Sequence, residues 1–307
     1  DSGQLAIVHA CGLTNGTRSH FEATDLMERG TETDRGLNSG WITRYLANQS
    51  TARILPAVAI SAGLPGSLLN CPIAVSMTDL NGYNLPGGDR YRQAIQQFYN
   101  GSDFLTLSGQ ETIQSVMGVR SRLPFNKDGS LKSYQPANGA NYPTETGAEF
   151  GNQLKLLAQL LKIEVGLQVA TLSYGDWDTH EDQTYRFPEL VKGLSQALSA
   201  FYRDVGGDHV TIVVMSEFGR RLKANQSGGT DHGHGGVILV MGGSVKGGQI
   251  YGQWPGLANE QLDRGADLAI TTDYRTVLSE VLLKHRPSLD LGAVFANFTA
   301  QPLGLLS

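Results

Sequence analysis

The segment 211–236 constrains the fold of this chain more than any other. It opens with the apolar run 211–215, which predicts a strand buried on both faces. Glu217 follows that strand, and the segment closes with the glycine-flanked sequence DHGHGG at 231–236. Open α/β sheets place their ligands beyond the carboxyl ends of strands. The carboxylates and imidazoles here therefore predict a metal-assisted hydrolytic site.

Strand and helix patterns alternate along the rest of the chain. The predicted strands are 5–10, 57–60, 167–172, 211–215 and 237–241, and the predicted helices are 17–28, 40–47, 90–99, 111–120, 146–163, 188–202 and 273–284. This alternation indicates an α/β fold with a mostly parallel central sheet flanked by helices.

The region 63–143 is less regular than the rest. Because no low-complexity linker isolates it, we interpret it as a peripheral part of a single domain spanning 1–307.

The composition narrows the classes of partner. The 307 residues include 40% hydrophobic and 17% charged residues, which is typical of a globular protein. The net charge of −5 argues against a nucleic-acid binder that works by neutralising phosphates. No apolar run approaches the length of a membrane span. The arginines that follow Glu217, rather than the composition, predict an anionic partner.

Two features bear on processing. Cys11 and Cys71 match no metal or redox spacing, so they either form one disulfide in an exported protein or are two buried thiols. The chain begins at Asp1 without a methionine, from which we expect a processed or truncated product.

The motif GDWDTH at 175–180 follows a predicted strand. Asp176 and His180 are spaced so that one turn can direct both at a single point, and this pair of ligand types suits zinc or a similar divalent ion. Asp178 is either a second ligand or a residue that orients His180. The alternative is that both aspartates are turn residues and His180 a surface cap.

The sequence DHGHGG adds three further polar groups. Asp231, His232 and His234 lie between glycines directly before a predicted strand. We favour His232 as a metal ligand, with His234 as the alternative ligand or a substrate contact. The competing interpretation is a solvated loop rich in turn formers.

Glu217 and the arginines that follow it have two interpretations. Glu217 is predicted to be a metal ligand or a general base. Arg220 or Arg221 would pair with phosphate or sulfate oxygens through the guanidinium fork. The alternative for both arginines is an exposed salt-bridge network.

Ser19 is predicted to cap a helix, with Glu22 completing a capping box. A serine at a helix N-terminus near a metal is also a candidate nucleophile. His9 is expected to be a core histidine, whereas His20 is placed where it could face the site. The sequence contains no nucleophile elbow, zincin motif or P-loop, which weakens those three readings.

Six motifs in order resemble one family. They are RSHFEA, GDWDTH, SEFGRR, GTDHGHGG, GGSVKGGQIYG and TTDYRTVLSEVL. Together they cover nearly the whole chain and resemble the exported, sulfatase-like family called domain of unknown function 1501, of the alkaline phosphatase-like superfamily.

The resemblance implies roles for particular residues. Ser19 matches the superfamily's nucleophile, and Asp176 with His180 matches an Asp-x-x-x-His metal pair. His232 is the match for a later histidine that completes this metal site, with His234 close behind. A second metal would use an Asp-His pair where this chain has Glu217-Phe218, which is a departure because phenylalanine binds no metal.

The resemblance also implies location and completeness. Relatives carry a further carboxylate on a strand upstream of Leu5, so we expect a missing N-terminal segment. A periplasmic or secreted location follows from the family's export.

We therefore expect a metal-dependent hydrolase of phosphate or sulfate esters, and the family resemblance implies that its anionic partner is a small ester. Zinc is the first expectation for the metal, and calcium or another divalent ion is the alternative. Ser19 would be the nucleophile, and Arg18 or Arg220 would neutralise developing charge. The rival hypotheses are an inactive exported scaffold for binding or assembly and a phosphomutase-like transferase.

Overall fold

A computed structural model describes residues 3–33, 36–47, 53–85 and 87–307. The helices and strands in chain order are β1 (Leu5–Gly12), α1 (His20–Arg29), α2 (Trp41–Leu46), β2 (Ala57–Ala59), β3 (Ala74–Ser76), α3 (Gly88–Phe98), α4 (Phe104–Arg122), α5 (Ala148–Lys162), β4 (Val169–Thr171), α6 (Gln183–Val205), β5 (Thr211–Val214), β6 (Gly236–Gly242), β7 (Ile250–Tyr251), β8 (Thr272–Asp273), α7 (Tyr274–His285) and α8 (Leu291–Val294). The chain is α/β, as its alternating pattern predicts.

The chain divides into two compact units. The ranges of unit 1 are Asp1–Ala47, Asp176–Glu189 and Gly206–Ser307, and those of unit 2 are Asn48–Gly175 and Leu190–Val205. The less regular region 63–143 falls within unit 2. Among the described residues, no helix combines the length and the apolar character that crossing a membrane requires.

Unit 1 is built on a mixed sheet with the order β5-β6-β1-β7, in which β8 also pairs with β1. Along β1, Ala6, Val8 and Ala10 are fully buried and alternate with more exposed neighbours, which is the pattern of a strand with one face on the core. Asp273 is the N-cap of helix α7, and its carboxylate accepts a hydrogen bond from the backbone N–H of Arg275.

The prediction of a mostly parallel sheet is wrong for unit 1. β6 runs antiparallel to both β1 and β5, whereas β7 and β8 run parallel to β1. The segment between β5 and β6 contains no described helix to carry the chain back, and parallel neighbours need such a crossover. The chain therefore returns antiparallel.

The strand β5 also differs from its prediction. All four of its residues are half-buried, so it is not covered on both faces. It stands at the end of the strand order, with β6 as its neighbour. Its apolar run therefore belongs to a strand at the border of the sheet whose residues are all partly exposed.

Unit 2 contains a smaller sheet that is parallel throughout, with the order β3-β2-β4. The residues of β2 are fully buried, as expected for a central strand of a parallel sheet. Both cysteines are buried thiols, Cys11 in unit 1 and Cys71 in unit 2. Burial raises the pKa of Cys11 to about 12, which keeps this thiol protonated.

Candidate metal centre

The antiparallel pairing in unit 1 brings three chain segments to one edge of the sheet. Cys11 near the end of β1 pairs with Gly236 at the start of β6, and Val214 at the end of β5 pairs with Leu239. The polar segments after β1, after β5 and before β6 therefore begin at this edge. They are the segments that contain His20, Glu217 and His232.

Two glycines let the last two of these segments touch. A side chain at Gly219 would begin 1.9 Å from the carbonyl oxygen of Gly235, and one at Gly233 would begin 2.4 Å from the backbone of Arg220. No other residue fits at either position. This close approach sets Arg220 and His232 opposite each other as a bridged pair.

The fourth segment, which contains Asp178 and His180, is fixed to the loop before β6. The backbone N–H of Thr230 donates to the Thr179 carbonyl at 3.2 Å, and the amide of Asn225 donates to the His180 carbonyl at 2.8 Å. The loop thus holds His180 beside His232.

Four side chains meet at one point. Asp178 Oδ1 lies 3.0 Å from the Nε2 atoms of both His180 and His232. Asp178 Oδ2 lies 3.3 Å from His20 Nε2, and the two Nε2 atoms of His180 and His232 are 2.9 Å apart. One ligand atom from each of His20, Asp178 and His232 lies within 4.8 Å of the others. We call these four residues the metal cluster.

Each imidazole of the metal cluster has an acceptor at its other nitrogen. His20 Nδ1 lies 2.6 Å from Glu217 Oε1, and His232 Nδ1 lies 2.9 Å from the backbone oxygen of Arg18. His180 Nδ1 lies 3.2 Å from Asp231 Oδ1. These acceptors favour the proton on Nδ1 and leave the Nε2 lone pair directed into the cluster, which is the usual arrangement of metal-binding histidines.

The donor set fits a borderline divalent ion. Ligands about 2.0–2.1 Å from a tetrahedral zinc ion are about 3.3 Å apart, close to the spacings in the metal cluster. Two imidazole lone pairs at 2.9 Å repel each other unless a proton or a metal ion lies between them. Calcium prefers six to eight oxygen ligands, so this nitrogen-rich set fits it poorly.

Charge in the cluster favours an ionised carboxylate. Burial acts to raise the pKa of Asp178, but the hydrogen bond from Arg220, the contact with His232 and the nearby His180 outweigh it and lower that pKa to about 2. Burial acts to lower the pKa of His20, but the hydrogen bond and charge of Glu217, aided by Asp178, raise it. The site therefore attracts positive charge.

A scan of family models matches residues 108–304 to the family described as "Protein of unknown function (DUF1501)". The chain belongs to this family. The DUF1501 match contains Asp178, His180 and His232, whereas His20 precedes the matched range. Comparisons with curated proteins and with solved structures give no match.

Several predicted site residues of this DUF1501 protein lie beside the metal cluster rather than within it. Glu217 and Asp231 contact the histidines from outside. Arg220 donates to Asp178 Oδ1 and to the backbone oxygen of Thr230. Its guanidinium therefore holds a cluster carboxylate.

Asp176 is a predicted ligand whose side chain has no contact with the cluster histidines among the described residues. It is exposed, and its backbone is left-handed with φ of 70°. Its side chain has no hydrogen-bond partner within the described ranges. The chain turns at this residue, so Asp178 is directed inward instead.

His234 and Arg18 lie in a neighbouring group of charges. His234 is buried, with Nε2 3.0 Å from the Leu13 carbonyl and Nδ1 3.0 Å from Asp263 Oδ2. The Arg18 guanidinium donates to Asp263 and Asp267. Neither side chain enters the metal cluster.

Ser19 is the N-cap of α1, but the expected capping box is absent. The Ser19 side chain accepts no capping hydrogen bond, and Glu22 accepts one from the Thr17 hydroxyl instead. Ser19 is exposed and directly precedes His20. Its hydroxyl has no partner in the described part of the chain.

The role of His20 was not predicted from the sequence. The sequence indicated only that His20 could face the site, and it predicted neither a ligand role for His20 nor its contact with Glu217. Phe218 stacks against His20 and His232, with ring centroids 4.8 and 4.7 Å apart. The feature that brings His20 to the site is the long-range pairing of β1 with β6, which a single sequence does not reveal.

Proposed function

We propose that the protein is a metal-dependent hydrolase of phosphate or sulfate esters, with the metal bound by His20, Asp178, His180 and His232. The observation that supports it most is the convergence of three Nε2 atoms on one carboxylate, with each imidazole anchored through Nδ1. When bound, a divalent ion such as zinc would act as a Lewis acid toward the ester oxygens.

The chain's own residues would supply orientation and the nucleophile. Ser19 lies between Arg18, whose carbonyl binds His232, and His20, so both of its neighbours in the chain are fixed to the site. This position would direct the Ser19 hydroxyl toward an ester held at the cluster. Its oxygen would bond to phosphorus or sulfur as the ester bond breaks and the alcohol leaves with the serine proton, and water would then hydrolyse the serine ester to release phosphate or sulfate.

The contacts of the three arginines change our assignment of the one that would bind the anionic group of the substrate. The guanidinium groups of Arg18 and Arg220 are already held by carboxylates. Arg221 is more exposed, and its Nε lies 3.8 Å from Asp267 Oδ1. We assign Arg220 to holding Asp178 and Arg221 to attracting the anionic substrate.

Two wider assignments belong to the same proposal. The order of the nucleophile and metal motifs supports membership in the alkaline phosphatase-like superfamily. That membership in turn supports a periplasmic or secreted location. Fractionation of the native cells with an antibody against this chain would test the location.

The rival hypothesis of an inactive scaffold rests on Glu217-Phe218 replacing a metal-binding pair and on the expected missing strand before Leu5. In the structure Glu217 holds His20, and Phe218 packs on two cluster histidines. The replacement therefore serves the metal cluster, which favours the hydrolase over the scaffold.

The test begins with the metal. Purified protein is loaded with Zn²⁺ or Mn²⁺, its metal content is measured by elemental analysis, and aryl phosphates and aryl sulfates are assayed. We expect one metal ion per chain and turnover that follows metal content. Absence of a bound metal in the wild-type protein would refute the metal centre, and metal without turnover of any ester would favour the scaffold.

The nucleophile needs a separate variant. Ser19→Ala should lower turnover by about a thousandfold or more while metal content stays the same. Ser227→Ala removes an exposed loop serine hydroxyl and is the matched control. If Ser19→Ala and Ser227→Ala turn over equally, Ser19 is not the nucleophile.

A further inference from the structure

A second charged group shares two chain segments with the metal cluster. Its members are Arg18, His234, Asp263 and Asp267, and we call it the clamp. Arg18 Nη2 donates to Asp263 Oδ2 at 2.9 Å, and Arg18 Nε donates to Asp267 Oδ2 at 2.8 Å. His234 Nδ1 lies 3.0 Å from the same Asp263 oxygen without forming a hydrogen bond, so Asp263 contacts the segments of both Arg18 and His234.

The clamp is not built for stability alone. The Asp267 side chain is 1% exposed, and its Oδ1 makes no hydrogen bond to any described residue. A buried polar atom without a hydrogen bond costs about 1–3 kcal/mol. An apolar contact would hold the two segments together without that cost, so the charges of the clamp need another reason.

The reason lies in what the two segments contain. The backbone oxygen of Arg18 accepts the hydrogen bond from His232 Nδ1, and His20 follows two residues later. His232 precedes His234 by two residues. The guanidinium of Arg18 is thus fixed at one end while its carbonyl orients a metal ligand at the other.

We propose that the clamp is a positioning device for the metal cluster. The Arg18–Asp267 ion pair fixes the Arg18 carbonyl, which orients His232, and fixes the start of α1, which presents His20. This inference rests on the proposed metal centre, and it assigns Asp267 and Asp263 a role in metal affinity although neither belongs to the cluster.

The clamp is not a second cation site. A cation needs carboxylate oxygens with free negative charge, and Arg18 already pairs with both aspartates. Burial acts to lower the pKa of Arg18, but the contacts with Asp267 and Asp263 raise it, so the guanidinium stays charged. Its positive charge would repel a metal ion at this position.

The test measures Zn²⁺ affinity by chelator competition in the full chain. Asp267→Asn should weaken Zn²⁺ binding by about 10–100-fold, the usual effect of losing a residue that supports a metal ligand. Asp263→Asn, at a more exposed position, should give a smaller loss. Asp25→Asn breaks the exposed Arg29–Asp25 ion pair of α1 and should leave affinity unchanged.

A second measurement separates positioning from general destabilisation. With Co²⁺ in place of Zn²⁺, the visible absorption bands report the ligand geometry, and Asp267→Asn should shift them whereas Asp25→Asn should not. Circular dichroism establishes that each variant is folded. If Asp267→Asn does not fold, Asp263→Asn serves as the deciding variant.

The outcomes distinguish this inference from the proposed function. Wild-type protein that binds no Zn²⁺ would overturn the metal centre itself and the clamp's role with it. Wild-type protein that binds Zn²⁺, together with a folded Asp263→Asn and a folded Asp267→Asn that match Asp25→Asn in affinity and spectrum, would overturn the clamp alone.

Discussion

Asp204 in unit 2 and Asp178 in unit 1 are both carboxylates with several partners, but their partners differ in kind. The Asp204 side chain is fully buried and accepts hydrogen bonds from the hydroxyls of Tyr134 and Tyr142, each at 2.8 Å. Lys162 and the backbone N–H of Ala137 also donate to it. Every partner of Asp204 provides a hydrogen.

Asp178 is 44% exposed, and besides the donor Arg220 its close neighbours are three imidazole nitrogens. The other nitrogen of each ring lies beside an acceptor, which favours a proton there and turns a lone pair toward Asp178. A structural carboxylate such as Asp204 meets donors alone, whereas a candidate metal ligand such as Asp178 also meets groups that can act as acceptors.

The largest expected effect is on stability. Asp204→Ala leaves the half-buried Lys162 and two tyrosine hydroxyls without their acceptor, and it should lower the free energy of unfolding by about 3–5 kcal/mol. Urea denaturation measures this. Asp25→Ala, at a surface ion pair, should cost less than about 1 kcal/mol. Equal losses in the two variants would show that Asp204 is not a structural centre.

The next effect is on metal affinity. Asp178→Asn should weaken Zn²⁺ binding by more than about 100-fold, beyond the loss expected for an outer residue. The stability of the metal-free protein should change by less than about 1 kcal/mol, since the side chain is half-exposed. Asp176→Asn is the control two residues away, and isothermal titration compares them. A greater loss in Asp176→Asn would return the ligand role to Asp176.

A smaller effect is expected from Glu217. Glu217→Gln keeps an oxygen for the His20 proton but removes the charge, and Zn²⁺ affinity should fall by about tenfold. The pKa of His20, measured by proton NMR in metal-free protein, should fall as well, because Glu217 raises it. Glu260→Gln, at an exposed position, should change neither value. An unchanged pKa of His20 would contradict the contact.

The smallest expected effect is the loss of stability at acidic pH. Burial acts to raise the pKa of Asp204, but hydrogen bonds from Lys162, Ala137 and the tyrosines lower it below the ordinary value of 3.8. The stability this gives is present above pH 3.8 and is lost as the pH falls through the lower folded-state pKa. The unfolding free energies of wild type and Asp204→Asn should therefore converge as the pH falls. A difference between them that stays constant down to pH 2 would contradict a lowered pKa of Asp204.

Local patterns predicted most elements well. Gly30 ends α1 in the left-handed conformation, as a helix-stopping glycine should. The apolar stripe over 146–163 became α5, and the alternation of strand and helix gave the α/β class. These features depend on neighbours within a few residues, which a single sequence displays.

Pairing between distant strands was not predictable in the same way. The run 211–215 has the composition of a central strand, but its border position depends on β6. Likewise, the spacing of Asp176 and His180 suggested a ligand pair, and the left-handed backbone at Asp176 directed Asp178 inward instead. The sequence predicted the ligand types and three of the four segments that meet at the site, namely those around Asp178, Glu217 and His232. The role of His20 could be recognised only from the order of strands in the sheet.

The distance along the chain between the cluster residues has a consequence for how the protein acquires a metal. His20 and its acceptor Glu217 are 197 residues apart in sequence. An unfolded chain would pay loop-closure entropy to bring such distant residues together. The proposed ligand set is therefore complete only when the strand pairings of unit 1 have formed, and uptake of a metal there would report that unit 1 is folded.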